Sequence, residues 1–128
     1  MKSSPADVWP DANVYLRDAD RYPRSATGVF YTPQAANDGS FSVRFQLSIN
    51  DQDESGQIIT AEIDANASVV ASDPASAVYR NGSCTLELHA TRSDDVLDSK
   101  IEVEQTRQCF QLPETDASGT YKVELIGD

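Results

Sequence analysis

The sequence predicts an all-β domain, an antiparallel meander of about eight short strands forming a small barrel or sandwich with one disulfide. Three observations carry that expectation. Phe41, Val43, Phe45, Leu47 and Ile49 alternate with Ser42, Arg44, Gln46 and Ser48, the period of a strand with one buried face; a helix would scatter those five side chains around its circumference. Turn signals recur about every ten residues, with little helical periodicity between them. The two cysteines, Cys84 and Cys109, each end an apparent strand.

Along the chain, residues 1–25 read as an irregular N-terminal segment, because Pro5, Pro10 and Pro23 rule out a long helix. Within it Val14, Tyr15 and Leu16 suit a short edge strand, and Trp9 and Tyr22 suit a lid packed on the domain. Residues 26–128 read as a single β domain. Gly28 to Tyr31 is a strand stopped by Pro33, and Asn37-Asp38-Gly39 is a turn. After the strand 41–49, an acidic stretch from Asn50 to Gly56 precedes a strand over Ile58–Ile63. Val69 and Val70 follow, and Pro74 marks a further turn. Val78-Tyr79 leads into Asn81-Gly82, a strong hairpin dipeptide. Cys84, Leu86, Leu88 and Ala90 alternate with polar residues, Ile101 and Val103 alternate with Glu102 and Glu104, and Gly119–Ile126 gives the last strand.

Two cysteines allow one intramolecular bridge. If the strands 84–91 and 101–108 form a hairpin with Cys84 opposite Cys109, then Leu86 faces Arg107, Leu88 faces Gln105 and Ala90 faces Val103. The two sulfurs then share a face within bonding reach, and a shift of two residues leaves a diagonal approach. A bridge implies an oxidising compartment, so the chain is expected to be periplasmic or secreted. The opening MKSSPADVWPD has no apolar h-region, so an exported chain has already lost its signal. Zinc wants about four ligands; one His and two Cys make it a poor candidate.

The net charge of −11 repels nucleic-acid phosphates and anionic membranes and favours basic proteins or cations as partners. No apolar run reaches the length of a transmembrane helix. His89 is the only histidine and falls on the polar face of its strand. There is no phosphate-binding glycine loop, no dinucleotide fingerprint and no nucleophile elbow. The chain is therefore expected to be non-enzymatic and to need no organic cofactor.

The stretch DQDESGQIITAE, residues 51–62, matches the twelve-position calcium loop of an EF-hand. Asp51, Asp53 and Ser55 take positions one, three and five, Gly56 the turn, and Glu62 the bidentate position twelve. The flanks read as strands, and a strand over 58–63 turns Glu62 away from the loop. Two readings stay open: a calcium-binding structural or adhesion module, and a solvated acidic hairpin.

The tail CTLELHA, KIEVEQTRQC and SGTYKVEL resembles the last strands of small exported bacterial β-proteins, among them periplasmic lysozyme inhibitors. Several of those inhibitors carry an SGxY motif on a loop that enters the lysozyme cleft. The resemblance covers the C-terminal third and implies target contacts by Ser118, Gly119, Tyr121 and Lys122. It also implies a basic partner, a lysozyme, which an acidic inhibitor would meet quickly. Thr27-Gly28-Val29-Phe30 has the same local form as Ser118-Gly119-Thr120-Tyr121. That symmetry supports a structural reading, in which the first and last barrel strands meet.

Overall fold

In the computed structural model of the chain the described residues are 5–10, 13–17, 26–52, 55–94, 98–110 and 115–123. They form one helical turn, α1 (Pro5–Val8), and nine strands. The strands are β1 (Asn13–Arg17), β2 (Ala26–Phe30), β3 (Gln34–Ala35), β4 (Phe41–Gln52), β5 (Ile58–Val70), β6 (Asp73–Asn81), β7 (Cys84–Thr91), β8 (Lys100–Thr106) and β9 (Gly119–Val123). All pairings are antiparallel. β2 bonds to β1 on one side and β4 on the other, and β1 bonds to β9, so eight strands close into a barrel. β3 is a two-residue spur on the start of β4.

β1 was expected at an edge. It is hydrogen-bonded on both sides and closes the barrel between β2 and β9, so a partition at residue 26 leaves one barrel strand on its N-terminal side. Pro74 was expected to mark a turn. It sits second in β6, where the register to β5 shifts between Val69 and Val70. A proline fits a strand start or a bulge because no ladder donor is needed there.

Alternation decides what fills the barrel. Val43, Phe45, Leu47 and Ile49 of β4, Leu86 and Leu88 of β7, and Ile101 and Val103 of β8 all point inward and are buried. An eight-stranded barrel is just wide enough for side chains to fill its interior. Aromatic rings occupy its centre: Phe30 lies 5.7 Å from Tyr15 and 6.0 Å from Tyr121, both edge-on, and 6.5 Å from Phe45. Glycine makes room for them. A methyl group on Gly28 would meet Phe30 Cε2 at 2.7 Å and Leu47 Cδ2 at 3.0 Å, side chains that are both buried. Gly28→Ala is therefore expected to destabilise the fold by about 1–3 kcal/mol through overpacking. A urea midpoint equal to the parent's would show that the Phe30 ring has room to yield.

The barrel ends are closed by chain from outside the ladder. At one end Trp9 is buried and its indole Nε1 donates to the carbonyl of Pro74 at 2.8 Å. Trp9 therefore packs as expected; Tyr22 lies outside the described residues. At the other end the chain after β8 folds back, burying Phe110, Thr115 and Ala117. Arg17, at the end of β1, donates to the carbonyls of Asp116 and Ser118, holding this segment down.

The Cys84–Cys109 disulfide is formed, with Cα atoms 4.9 Å apart. The β7–β8 register differs from the expected one by two residues: Leu86 faces Gln105, Leu88 faces Val103 and Ala90 faces Ile101. A two-residue slip preserves which face each side chain occupies, so the bridge survives it. Arg107 takes a left-handed φ of 68° just past β8, and the chain turns there to bring Cys109 beside Cys84.

The outer face of the wall is polar, with Glu62, Asp64, Glu87, Glu102 and Glu104 pointing out of their strands. A lipid-facing barrel has the opposite pattern, apolar outside and polar within. Among the described residues no helix is long and apolar enough to cross a membrane.

Candidate functional site

Ser118, Gly119 and Tyr121 prove to be structural parts of the barrel. Tyr121 is fully buried, 0% exposed, with its ring against Phe30 and its hydroxyl donating to Ala117 O at 2.8 Å. In this fold its side chain is covered by the barrel and does not line the surface. Ser118 Oγ accepts the amide of Gln105 at 2.8 Å, where β8 has run past the start of β9. Its own amide donates to Asp116 Oδ1 at 2.9 Å. Gly119 pairs with Val103 in the ladder. Lys122 alone of the four is exposed, opposite Lys100 on the outer wall. The two Gly-x-aromatic strands flank β1 and bring Phe30 and Tyr121 into contact. They meet through β1 and through their rings, not by pairing directly.

The acidic stretch forms the tip of the β4–β5 hairpin. Gln52 pairs with Ile58, while Glu62 pairs with Ser48, four residues further along β5. At about 3.3 Å per residue Glu62 stands roughly 13 Å along the strand from the closing pair. An EF-hand loop must instead fold position twelve back onto positions one to five. Asp53 lies outside the described residues, as do the side chain of Asp51 and its contacts; Ser55 is exposed. Among the described residues no group of three or more His, Cys, Asp or Glu side chains is placed to hold a metal.

A different surface concentrates charge. A groove of about 880 Å³ runs over the outer wall of β6, β7, β8 and the start of β9. Its lining includes Asp73, Glu87, Glu102, Glu104 and Asp116 and, among the described residues, no Lys or Arg. Glu87 and Glu104 are directly opposite each other, an arrangement that destabilises a sheet. Glu102 faces His89 and meets Lys100 at 3.2 Å, an exposed pair of little energetic weight.

His89 and Ser76 also face each other, with Nδ1 and Oγ 3.0 Å apart. Ser76 Oγ donates to Asp73 Oδ2 at 2.7 Å, so its one hydroxyl proton is engaged by the carboxylate. Activation of a serine nucleophile needs the imidazole to accept that proton, which here goes to Asp73. The Ser76 hydroxyl, helped by the Ala75 amide and the nearby His89, holds the Asp73 carboxyl below the usual carboxylate range. Asp73 is therefore ionised throughout the neutral range. On the opposite wall Arg44 and Gln46 do the same for Asp64, with Arg44 Nη2 at 3.0 Å.

None of the five groove carboxylates was singled out from the sequence. The signal was present as alternation in 84–91 and 101–104, but the opposition of Glu87 and Glu104 depends on the true register. In the expected register Glu87 would have faced Thr106. Set against protein-family models, curated proteins and solved structures, the chain matches none.

Proposed function

We propose that this chain is a non-enzymatic exported binding protein whose outer wall over β6–β9 receives a basic protein partner. A lysozyme-like cell-wall hydrolase is the specific target that the C-terminal resemblance implies. The observation that carries the reading is the groove lined, among the described residues, by five carboxylates and by no Lys or Arg. The net charge of −11 adds long-range attraction for a basic partner and raises the rate of encounter. The disulfide supports an oxidising compartment, the periplasm or the cell exterior. Because Tyr121 is interior, inhibition in this reading works through the wall and not through an inserted SGTY loop.

Calorimetry and inhibition assays against lysozymes of several types test it, at roughly 0.15 M salt so that unspecific attraction is screened. One type should bind and be inhibited, and the double variant Glu87→Lys/Glu104→Lys should weaken binding at least roughly tenfold. Both substitutions are on the outer wall, so the fold should hold. Binding unchanged by the double variant would refute the assigned surface. Absence of binding to every basic protein tried would refute the function.

A further inference from the structure

β5 is thirteen residues long, and its two neighbours cover it unequally. β4 pairs with it from Ser42–Ser68 to Gln52–Ile58. β6 pairs with it only at Ser68, Val69 and Val70. Continued in the Ser68–Val78 register, the last residue of β6, Asn81, comes opposite Ala65. Beyond that point β6 has ended, so among the described residues Ile58–Asp64 has one backbone edge that no strand covers.

The side chains beside this edge are informative. Ala61, Ile63 and Ala65 face the same way as the barrel core, opposite Ile49, Leu47 and Phe45. Those three β4 residues are at most 1% exposed, whereas Ala61, Ile63 and Ala65 stay partly open. The apolar side chains on the core-facing side of this edge are therefore only partly covered. On the other face Thr60, Glu62 and Asp64 are exposed. An open edge of alternate apolar and acidic residues is a template for strand addition, in which backbone bonds supply affinity and alternate side chains supply specificity.

We propose that the β5 edge over Ile58–Asp64 binds an extended segment of a partner protein, alternating apolar residues that cover Ala61 and Ile63 with basic residues that meet Glu62. This site is separate from the β6–β9 wall and does not depend on it. Charge selects the occupant. A second copy of the chain brings a further −11, and antiparallel self-pairing centred on Glu62 or Ile63 sets Glu62 against Glu62 or Asp64 of the other copy. Like charges directly opposite are destabilising, so the acidic face disfavours self-pairing and favours a basic strand.

The test uses the intact chain and a short fluorescent peptide alternating valine with lysine. Binding should slow amide exchange within β5. It should fall at least roughly tenfold when alternate peptide amides are N-methylated in one of the two phases, since only one phase donates to β5. Glu62→Lys should weaken binding similarly, while Glu87→Lys/Glu104→Lys should leave it intact. Binding indifferent to N-methylation in both phases would overturn the proposal. So would loss with the groove variant alone, which would place the peptide on the outer wall, or sedimentation showing that β5 is occupied by a second copy.

Discussion

Phe30→Ala is expected to destabilise the barrel by about 3–5 kcal/mol, a large part of the roughly 5–15 kcal/mol that holds a domain of this size. Phe30 is 2% exposed and its ring packs near three others, Tyr15, Phe45 and Tyr121, from β1, β4 and β9. Truncation removes the apolar transfer term and leaves a cavity among rings that cannot collapse without shifting β1, the strand that closes the barrel. The ring contacts add their own edge-on preference. Guanidinium unfolding read by near-ultraviolet dichroism should show a much lower midpoint, with much of the aromatic signal lost. Thr27→Ala, three residues away on the outer side of the same strand, should stay within about 0.5 kcal/mol of the parent. Equal effects from the two would mean that the aromatic cluster does not organise the core.

Reduction of the Cys84–Cys109 bridge, or its replacement by serines, should cost about 3.5 kcal/mol, the loop-entropy value for a separation of 25 residues. The effect should also be local. The bridge anchors the chain after β8, which plugs one barrel end with Phe110, Thr115 and Ala117 and supplies the carbonyl partners of Arg17. Amides of Ala117 and Ser118, bonded to Gln105 Oε1 and Asp116 Oδ1, should exchange faster in the reduced protein than those of β4. Denaturation with and without reductant, alongside exchange mapping, separates the two effects. A stability loss without local opening would mean that the bridge acts only on the unfolded chain.

Much of this architecture is legible in the residues themselves. Five apolar side chains at period two in 41–49, and the alternations in 84–90 and 101–104, fix which side chains face inward, because a strand alternates faces whatever its neighbours are. The same parity explains why the disulfide could be foreseen from a register that was two residues off. Turns with a glycine that must take positive φ, at Gly39 and Gly82, were equally readable. The place of SGTY in the fold was hidden for a related reason. Ser118 to Tyr121 has the form of a presented loop when read alone, and only pairing with β8 and contact with Phe30 turn it into an interior strand.

The sequence by itself thus determined the strand character, the inward faces, the cysteine pairing and the acidic field. The tertiary structure decided closure, register and end. β1 is short and polar-flanked, and its place between β2 and β9 follows from ladder bonds to residues far away in the chain. The carboxylate groove needs Asp73, Glu87, Glu102, Glu104 and Asp116 from separate segments on one wall. The open β5 edge exists because β6 stops at Asn81 while β5 continues. Local side-chain preference acts over a few residues, whereas strand order and relative length are set by packing across the whole barrel.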